Sequence, residues 1–387
     1  RAEFIPQMVG EHNYQLLQQV KRMWDPQNIF NPGKIENAPP MDQNLRYQPD
    51  QVTPQFDTVL DFQPYQGIIQ AAEQCNGSGD CRKTSISGGT MCPSYMATRN
   101  EKDTTRARAN ILREVLTRSE QANPFASEEI KEVMDLCLSC KGCKAECPSN
   151  VDIAKLKAEF LQQRYNTEGI PWRTKLIASY NSANQLASWV PGLYNFFISN
   201  KLTGGLFKRF AGFAPERSLP RLNDTTLEKW FARQGALGSG TNRILLFCDE
   251  FTNYNDTGIG ITAVKLLRQL GYQVEMPKHL ESARTFISKG LLKKAREIAI
   301  GNVELLKDRV SKESPLVGIE PSAILSFRDE YLALVPGQLK SAAEKIAANT
   351  YTIEEFLCAE MERGAFGNDL FTEEKRLIRL HGHCHQK

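Results

Sequence analysis

The stretch Cys137-Leu-Ser-Cys140-Lys-Gly-Cys143-Lys-Ala-Glu-Cys147-Pro148 decides the fold of the middle of this chain. Its cysteines follow the spacing C-x2-C-x2-C-x3-C-P, which is a ligand pattern of 4Fe-4S clusters. The first three thiolates let one tight loop hold one face of a cubane cluster. In this pattern the cysteine before proline serves a second cluster, so the fourth ligand must come from elsewhere. Cys92, which also precedes a proline, is the candidate.

A second set of cysteines lies upstream and is less regular. Cys75 and Cys81 stand at the outer positions of a C-x2-C-x2-C frame, with Ser78 at the middle position. Together with Cys147 they give three thiolates. Such a set holds a 3Fe-4S cluster, a 4Fe-4S cluster with Ser78, water or another group on its labile iron, or no cluster. In the last case the three are buried, reduced cysteines, which are among the most buried residues.

The distribution of cysteines also bears on the alternatives. Seven of the ten cysteines lie between Cys75 and Cys147, whereas disulfide frameworks belong mainly to small secreted domains. A zinc site commonly pairs two Cys-x2-Cys units across a longer loop and needs four ligands. Three evenly spaced cysteines followed by Cys-Pro fit that geometry poorly. Iron–sulfur ligation is therefore favoured, and a zinc-binding scaffold module remains the alternative.

Composition excludes several classes of partner. The chain has 387 residues, a formal net charge of +3 and 24% charged residues, which indicates neither nucleic acid nor an anionic membrane as a partner. No uninterrupted apolar run reaches about 18 residues, and no signal peptide opens the chain. We expect no transmembrane segment and a cytoplasmic location, with peripheral membrane association as a variant. Because the chain begins at Arg1 and stops after a Cys/His-rich motif, we expect it to be a fragment.

The pattern of hydrophobic residues predicts an α+β multidomain protein. Helices are expected over residues 11–24, 100–118 and 126–134, so that the cysteine loops of the middle region alternate with helices in a small α-helical ferredoxin-like domain. After the turn GALGSGTN come the strand RILLF, the helix and strand of ITAVKLLRQLGYQVEM, and the strands PLVGIE and KRLIRLHG. Helical segments at 284–309 and 340–363 separate these strands, which indicates a parallel α/β sheet.

Residues 170–235 carry no cysteine but many aromatic side chains. A helical connector that packs on its neighbours is the favoured interpretation, and an amphipathic stretch that touches a membrane or a quinone is the other. The aromatic residues of this region include Trp172, Trp189, Tyr194, Phe196, Phe197, Phe207 and Phe210.

Polar side chains follow three of the predicted strands of the α/β region. In open α/β sheets, ligands bind outside the carboxyl ends of the strands. A convergence of thiol, imidazole and carboxylate groups there suits a metal, a substrate or a redox centre. Each group also has a structural explanation, such as core packing for Cys248 and helix capping for Asp249 or Glu250. The candidate site residues are Cys248, Glu320, His381, His383, Cys384 and His385.

Several segments resemble known families. WDPQNIFNPGKI, residues 24–35, resembles the C-terminal end of FAD-linked oxidases of the D-lactate dehydrogenase and glycolate oxidase type. Residues 75–165 resemble the iron–sulfur subunits of glycolate oxidase and anaerobic glycerol-3-phosphate dehydrogenase, and CNGSGDCRK with GGTMCPSY is nearest to fused flavin and iron–sulfur D-2-hydroxyacid dehydrogenases. FCDEFTNYND, GIEPSAILSFRDEY and HGHCHQK resemble a cysteine-rich domain shared with heterodisulfide reductase subunits. Ala323 departs from that pattern, which often has cysteine there.

The resemblance implies an order of domains along the chain. The α-helical ferredoxin-like iron–sulfur domain is followed by the first half of an α/β cysteine-rich domain with a parallel sheet. The expected segments are a C-terminal tail of an FAD-linked oxidase domain at 1–35, a linker at 36–69, the iron–sulfur domain at 70–165, a helical connector at 166–240 and the cysteine-rich domain at 241–387.

The resemblance also implies a function. An FAD-containing dehydrogenase part would oxidise a 2-hydroxy acid, and this chain would pass electrons from FAD through one 4Fe-4S cluster, or two, to a quinone or a soluble carrier. The alternative within the same chemistry is a separate iron–sulfur subunit of a glycerol-3-phosphate or glycolate dehydrogenase complex. The FNPGKI segment favours fusion to the flavin part, because a separate subunit has no reason to carry it.

Overall fold

The computed structural model describes residues 2–43, 45, 47, 50–234 and 242–386. The chain divides into two compact units, Arg1–Thr53 and Pro54–Lys387. Most of the predicted turn GALGSGTN, together with Lys387 of the HGHCHQK motif, lies outside the described residues.

The first unit is built on two helices, α1 (Ile5–Val9) and α2 (Glu11–Trp24), after a 3-10 turn at Ala2–Phe4. The helix predicted over residues 11–24 is confirmed. It ends at Asp25, whose carboxylate accepts hydrogen bonds from the N–H groups of Ile29 at 2.8 Å and Phe30 at 2.9 Å. This carboxylate therefore fixes the turn that follows the helix.

The iron–sulfur region consists of short helices joined by cysteine-bearing loops. Side-chain caps begin three of its helices, where Thr104, Ser127 and Asp152 accept N–H hydrogen bonds from the first helical turn. Four 3-10 turns lie at Gln63–Tyr65, Asp80–Arg82, Glu101–Asp103 and Pro124–Ala126. The helices are α3 (Ile68–Glu73), α4 (Pro93–Thr98), α5 (Thr105–Arg118), α6 (Glu128–Asp135), α7 (Gly142–Glu146) and α8 (Ile153–Glu168).

The second half of the predicted linker belongs to this core. Glu159 of α8 is fully buried, and its carboxylate accepts hydrogen bonds from the N–H groups of Val59 at 3.0 Å and Leu60 at 2.9 Å. Ile68 and Ile69 are buried as well. The segment 36–69 is polar at its start, but its second half contains apolar residues, and these allow the chain to pack into the core before residue 70. The other domain boundaries stay predictions.

Five helices follow in the predicted connector. They are held by polar contacts to the α/β region, such as the Tyr180 hydroxyl, which donates to Asn255 Oδ1 at 2.7 Å. The helices are α9 (Trp172–Ala178), α10 (Tyr180–Ala187), α11 (Pro191–Ser199), α12 (Thr203–Ala211) and α13 (Leu227–Arg233).

The α/β region carries a four-stranded parallel sheet. Its strands are short and mostly buried, and helices of the same region cover them. In chain order the elements are β1 (Asn242–Phe247), α14 (Glu250–Tyr254), α15 (Thr257–Gln269), β2 (Tyr272–Glu275), α16 (Arg284–Ser288), α17 (Leu292–Leu306), β3 (Leu316–Gly318), α18 (Pro321–Ile324), α19 (Glu330–Leu334), α20 (Gly337–Ala348), β4 (Thr350–Thr352) and α21 (Ile353–Glu362), with 3-10 turns at Leu325–Arg328, Asn368–Leu370 and Cys384–Gln386.

The order of strands across the sheet is β2-β1-β3-β4, and all pairs are parallel. Register pairs such as Ile244 with Val274 and Leu246 with Val317 place buried aliphatic residues side by side. The chain moves outward from β1 in both directions, so β1 and β3 border the topological switch point. The predicted fold class, α+β with a helical iron–sulfur region and a parallel α/β sheet, is confirmed.

Two predictions for this region are wrong. KRLIRLHG is not a strand, because residues 375–382 pair with no strand and Leu377, Ile378 and Leu380 are 80–92% exposed. The predicted helical segment 340–363 is two helices separated by β4, whose threonines are buried against β3. A three-residue strand between two helices carries too little periodicity to be seen in the sequence.

Candidate iron–sulfur site

Four cysteines from two distant parts of the chain line one pocket. Cys92, at the start of α4, faces the same space as Cys137, Cys140 and Cys143 of the cysteine loop. Ser94, Thr105 and Arg108 complete the polar part of the lining. The structure therefore brings together the four residues that the sequence predicts as ligands of the first cluster. Their role as ligands stays a prediction.

The backbone around this pocket is in an unusual conformation. Cys92, Ser139 and Lys141 all have positive φ angles, of 57°, 54° and 59°. A non-glycine residue with φ above zero is uncommon and persists only where the surroundings fix it. At Gly142 an added Cβ would lie 3.2 Å from the carbonyl oxygen of Thr90, so the loop approaches that segment closely. The tight loop expected around a cluster is thus present.

Backbone N–H groups point at the sulfurs of this pocket. The Thr105 N–H donates to Cys92 Sγ at 3.0 Å, and the Ser139 N–H to Cys137 Sγ at 3.5 Å. The backbone amides of Gly142 and Ile153 bond Cys140 and Cys143 in the same way and partly oppose the rise in pKa that burial causes at these thiols. Such hydrogen bonds stabilise thiolates and tune an iron–sulfur cluster.

Burial works against ionisation of the same thiols. It raises the pKa of Cys92, Cys140 and Cys143, so a free thiolate is disfavoured at each position. The buried Arg108 partly offsets the effect of burial on the pKa of Cys92, and it donates to the Val133 carbonyl at 2.7 Å. Buried thiols that are surrounded by N–H donors and one guanidinium suit an anionic centre that ligates through sulfur.

A carboxylate ties the Cys92 segment to the cysteine loop. Glu146 of α7 accepts hydrogen bonds from the Thr90 hydroxyl at 2.6 Å, from the Met91 N–H at 3.2 Å and from Lys83 at 2.7 Å. Although burial opposes ionisation, these donors lower the pKa of Glu146 to about 2. At Gly89, with φ of 81°, an added Cβ would lie 2.6 Å from this carboxylate. Glu146 therefore holds Cys92 beside the loop.

A second set of charges joins the cysteine loop to the α/β region. Lys141 pairs with Glu330 at 2.7 Å and also with Asp329, and Lys144 pairs with Asp329 at 2.6 Å. Arg284 reaches the same Glu330 oxygen at 2.6 Å. These cations lower the pKa of Glu330 against its burial. The network fixes the orientation of the loop, because breaking a buried ion pair leaves an uncompensated charge.

The upstream cysteines lie next to this pocket. Burial raises the pKa of Cys81, and the neighbouring Cys75 raises it further, so these two sulfurs are close. The N–H of Arg106, beside that of Thr105, bonds Cys81. The first turn of α5 thus serves sulfurs of both cysteine sets, and its positive end favours negative charge there.

Cys147 is the third member of the upstream set. It is partly buried at the end of α7, and its N–H donates to the Cys143 carbonyl at 2.9 Å. No hydrogen bond within the described residues joins it to Cys75 or Cys81. Ser78 is exposed and donates to Asp80 at 2.6 Å. The assignment of Cys75, Cys81 and Cys147 to a second cluster stays a prediction.

The C-terminal candidates are gathered only in part. His383 Nε2 lies 3.6 Å from Glu320, which caps α18 and accepts from the Ser322 hydroxyl at 2.7 Å. His381 and Cys384 are exposed. Burial lowers the pKa of His385 to about 4, and Arg284 adds to this effect. Cys384 is close enough to Cys140 to raise its pKa, so the motif lies near the cysteine loop.

Cys248 occupies a separate place at the carboxyl end of β1. It is buried, and its N–H donates to His279 Nε2 at 3.2 Å. Asp249 caps α14 by accepting from Phe251 at 3.0 Å and Thr252 at 2.8 Å, which confirms the capping explanation. Burial raises the pKa of Asp249 to about 7. The geometry at Cys248 is that of packing and capping.

Sequence reasoning missed five of the groups that shape the site. Lys141 and Lys144 lie inside the quoted motif, and their acidic partners lie in the quoted segment GIEPSAILSFRDEY. Nothing in the sequence links positions so far apart. His279 lies outside every motif that the sequence analysis identifies. The missed residues are Lys141, Lys144, Asp329, Glu330 and His279.

Among the residues that the structure describes, no group of three or more His, Cys, Asp or Glu side chains is arranged to hold one metal ion. A cubane differs from a single ion, because each of its four irons is bound by its own thiolate and the cysteines stand further apart. All ten cysteines are free thiols. The donor set of the pocket, four thiols with N–H groups directed at their sulfurs, fits an iron–sulfur cluster.

Comparison with known proteins agrees with this chemistry. A family model described as a 4Fe-4S dicluster domain matches residues 74–152, and one described as the C-terminal domain of FAD linked oxidases matches residues 1–35. D-2-hydroxyglutarate dehydrogenase of Escherichia coli (strain K12) is 27% identical over 94% of this chain and 39% of its own length. Over most of its length the chain is thus similar to D-2-hydroxyglutarate dehydrogenases, and it contains segments that match an iron–sulfur dicluster model and an FAD linked oxidase model.

Other relatives extend the comparison. D-2-hydroxyglutarate dehydrogenase of Pseudomonas putida is 29% identical over 87% of this chain and 37% of its own length. A subunit of the anaerobic glycerol-3-phosphate dehydrogenase of Escherichia coli (strain K12) is 25% identical over 48% of this chain and 47% of its own length. The chain thus spans well under half the length of these curated D-2-hydroxyglutarate dehydrogenases. Their names are those of oxidoreductases, and the two family models support iron–sulfur clusters and an association with FAD.

No solved structure matches the chain. Within the described residues, every helix is too short or too polar to cross a membrane.

Proposed function

We propose that this chain is the iron–sulfur electron-transfer portion of a flavin-dependent D-2-hydroxyacid dehydrogenase. It passes electrons from FAD to an external acceptor, a quinone or a soluble carrier. The observation that carries the proposal is the pocket lined by Cys92, Cys137, Cys140 and Cys143. The match of residues 1–35 to FAD linked oxidases supports the flavin as electron donor.

Each part of the chain has a role in this proposal. The four cysteines hold a 4Fe-4S cluster, and the N–H groups of Thr105 and Ser139 hold their sulfurs in place. Arg108 offsets negative charge at Cys92. When bound, the cluster accepts one electron at a time, whereas a reduced flavin offers two. Glu146 holds the Cys92 segment beside the cysteine loop, and the ion pairs of Lys141 hold that loop against the α/β region.

A second cluster is proposed at Cys75, Cys81 and Cys147. The dicluster description of the matched model and the proximity of Cys75 to Cys81 support it. The first turn of helix α5 then contacts both cluster sites, because its amides bond Cys92 and Cys81. A cluster with three cysteines leaves one iron for Ser78, water or another group.

The substrate class comes from the relatives. Several are named D-2-hydroxyglutarate dehydrogenases, so D-2-hydroxyglutarate is the first substrate to test for the protein that includes the flavin part. We also propose a cytoplasmic location, because no apolar run in the sequence is long enough to cross a membrane.

A further proposal concerns the α/β region. Its C-terminal motif lies near the cysteine loop and is proposed to bind a metal or a substrate through His381, His383, Cys384 and His385.

The test is reduction by a flavin. Anaerobically purified protein is mixed with reduced FAD, and the visible absorbance of the iron–sulfur chromophore is followed. We expect bleaching, and recovery of the absorbance when a quinone analogue is added. Cys143→Ser should remove the part of the signal that belongs to the first cluster, whereas Cys358→Ser, at an exposed cysteine of α21, should retain the full signal. A colourless protein that contains zinc would instead support the scaffold alternative.

A separate iron–sulfur subunit is the second candidate. It is favoured by the similarity to a subunit of anaerobic glycerol-3-phosphate dehydrogenase. The match of residues 1–35 to a flavin-oxidase domain in the same polypeptide favours fusion. Reduction by sn-glycerol 3-phosphate, but not by D-2-hydroxyglutarate, in the presence of the matching flavoprotein would decide for the separate subunit.

A further inference from the structure

The predicted connector exposes many of its large apolar side chains. The connector is helical, and some of its aromatic side chains contact each other, as Trp172 and Phe210 do with ring centroids 5.0 Å apart. Besides Leu186, which is 75% exposed, six large apolar residues of the segment from α10 to α12 are each 67–83% exposed. Exposed apolar residues in a row mark an interaction site, whereas single ones need no explanation. We call this set the outer face: Trp189, Leu193, Phe196, Leu202, Leu206 and Phe210.

The outer face follows the helical repeat. Leu202, Leu206 and Phe210 stand four residues apart along α12 and its preceding turn, and Leu193 and Phe196 stand three apart on α11. Residues at these spacings share one side of a helix. Each helix therefore presents one apolar stripe.

The opposite side of the same helices is well packed. Ile198, Gly204 and Ala211 are buried, and an added Cβ at Gly204 would lie 2.3 Å from the Ile198 carbonyl oxygen. Asn195 exchanges two hydrogen bonds with the backbone of Leu222, at 2.8 and 2.9 Å. The helices are thus fixed from within, and the outer face is a surface of the folded chain.

The charge of this segment has one sign. Between Gly169 and Pro215 the sequence contains five Lys or Arg residues and no Asp or Glu, although the whole chain has a net charge of only +3. Lys201 and Arg209 are exposed beside the apolar stripes. Surface helices with Trp, Phe and Leu on one side and basic residues beside them bind anionic lipid surfaces.

We propose that the outer face docks the protein onto a phospholipid surface with anionic headgroups. Lysine is depleted in protein–protein interfaces, whereas long basic side chains beside apolar rows reach lipid headgroups. Trp189 lies at the corner between α10 and α11, and tryptophan prefers the membrane–water interface. The proposal goes beyond electron transfer and does not require a cluster.

The experiment is flotation of the purified protein with two kinds of vesicle, phosphatidylcholine alone and phosphatidylcholine with phosphatidylglycerol. We expect binding to the anionic vesicles and at least tenfold weaker binding for Trp189→Ser/Phe196→Ser/Phe210→Ser. A matched control, Ile86→Ser/Ile259→Ser/Leu305→Ser, removes exposed apolar residues elsewhere and should bind as the wild type does.

A second pair of variants tests the charge. Lys201→Gln/Arg209→Gln should weaken binding about fivefold for each charge removed. Lys265→Gln/Lys312→Gln, which removes exposed charges elsewhere, should leave binding unchanged. Iron content is measured separately from vesicle binding. It reports whether each variant still folds and holds the proposed cluster, and it should be equal in all variants.

Three results would overturn the proposal. The first is wild-type protein that stays unbound with both kinds of vesicle. The second is equal binding by the triple variant and its control. The third is self-association that the triple variant abolishes without any vesicle binding, which would assign the outer face to a second copy of the chain.

Discussion

The chain contains two regions rich in potential metal ligands, and the structure arranges them differently. In the region from Cys75 to Cys147, sulfurs from distant positions surround one pocket and receive backbone N–H groups. In the α/β region, Cys248 packs beside His279, while His383 approaches Glu320. A ligand set is thus recognised less by its residue types than by donors directed at its ligand atoms.

The largest expected difference between the regions is in iron content. Cys143→Ser removes a buried thiol that we propose as a cluster ligand, so bound iron should fall by about four atoms per chain. Cys384→Ser, in the exposed C-terminal motif, should leave iron unchanged. Iron and sulfide assays on both variants check this. Equal losses would show that the C-terminal motif belongs to the same centre.

The upstream cysteines sharpen the comparison within the first region. If Cys75, Cys81 and Cys147 hold a second cluster, Cys81→Ser should remove about three or four iron atoms and leave the signal of the first cluster. Electron paramagnetic resonance of the reduced protein measures both. Iron that does not change would mean that these cysteines are structural thiols.

The α/β region is expected to respond in stability instead of in iron. Burial raises the pKa of Asp249 to about 7, above the value of about 3.9 for an unfolded chain. Its ionisation therefore favours unfolding, and the free energy of unfolding should fall by about 1.4 kcal/mol per pH unit between about pH 4 and pH 7.

Asp249→Asn should remove that pH dependence relative to the wild type. Denaturant unfolding of both proteins at several pH values measures the difference, and any contribution from bound clusters cancels between them. A constant difference across this range would show that the carboxylate ionises as readily in the folded chain.

The smallest expected effect is on redox potential. The Thr105 hydroxyl lies 2.9 Å from Cys92 Sγ, and removing one hydrogen bond of about 1 kcal/mol corresponds to about 40 mV for one electron. Thr105→Val should lower the midpoint potential of the first cluster by about that amount. Thr117→Val, on the same helix but bonded to the Arg113 carbonyl, is the control. Identical shifts in both variants would exclude a role for the Thr105 hydroxyl.

Much of the fold and of the first site could be predicted from the sequence. The spacing of Cys137, Cys140 and Cys143 indicates a tight loop, and the Cys92-Pro93 pair predicts a fourth ligand from far upstream. The structure places Cys92 in the same pocket as the loop, and its role as a ligand stays a prediction. Such motifs are informative because ligation fixes both residue type and spacing.

The remaining features depend on contacts that no local pattern records. Lys141 and Asp329 pair across 188 residues, so neither position signals the other. The apolar residues Leu377, Ile378 and Leu380 read locally as a strand, but a strand forms only where a partner edge is available. The same limit hid β4, which is defined by its pairing with β3.

The most direct test is the iron and acid-labile sulfide content of anaerobically purified protein. A 4Fe-4S cluster at Cys92, Cys137, Cys140 and Cys143 predicts about four of each per chain, and about seven or eight if the upstream cysteines hold a second cluster. Zinc without sulfide would contradict the electron-transfer function proposed for this chain.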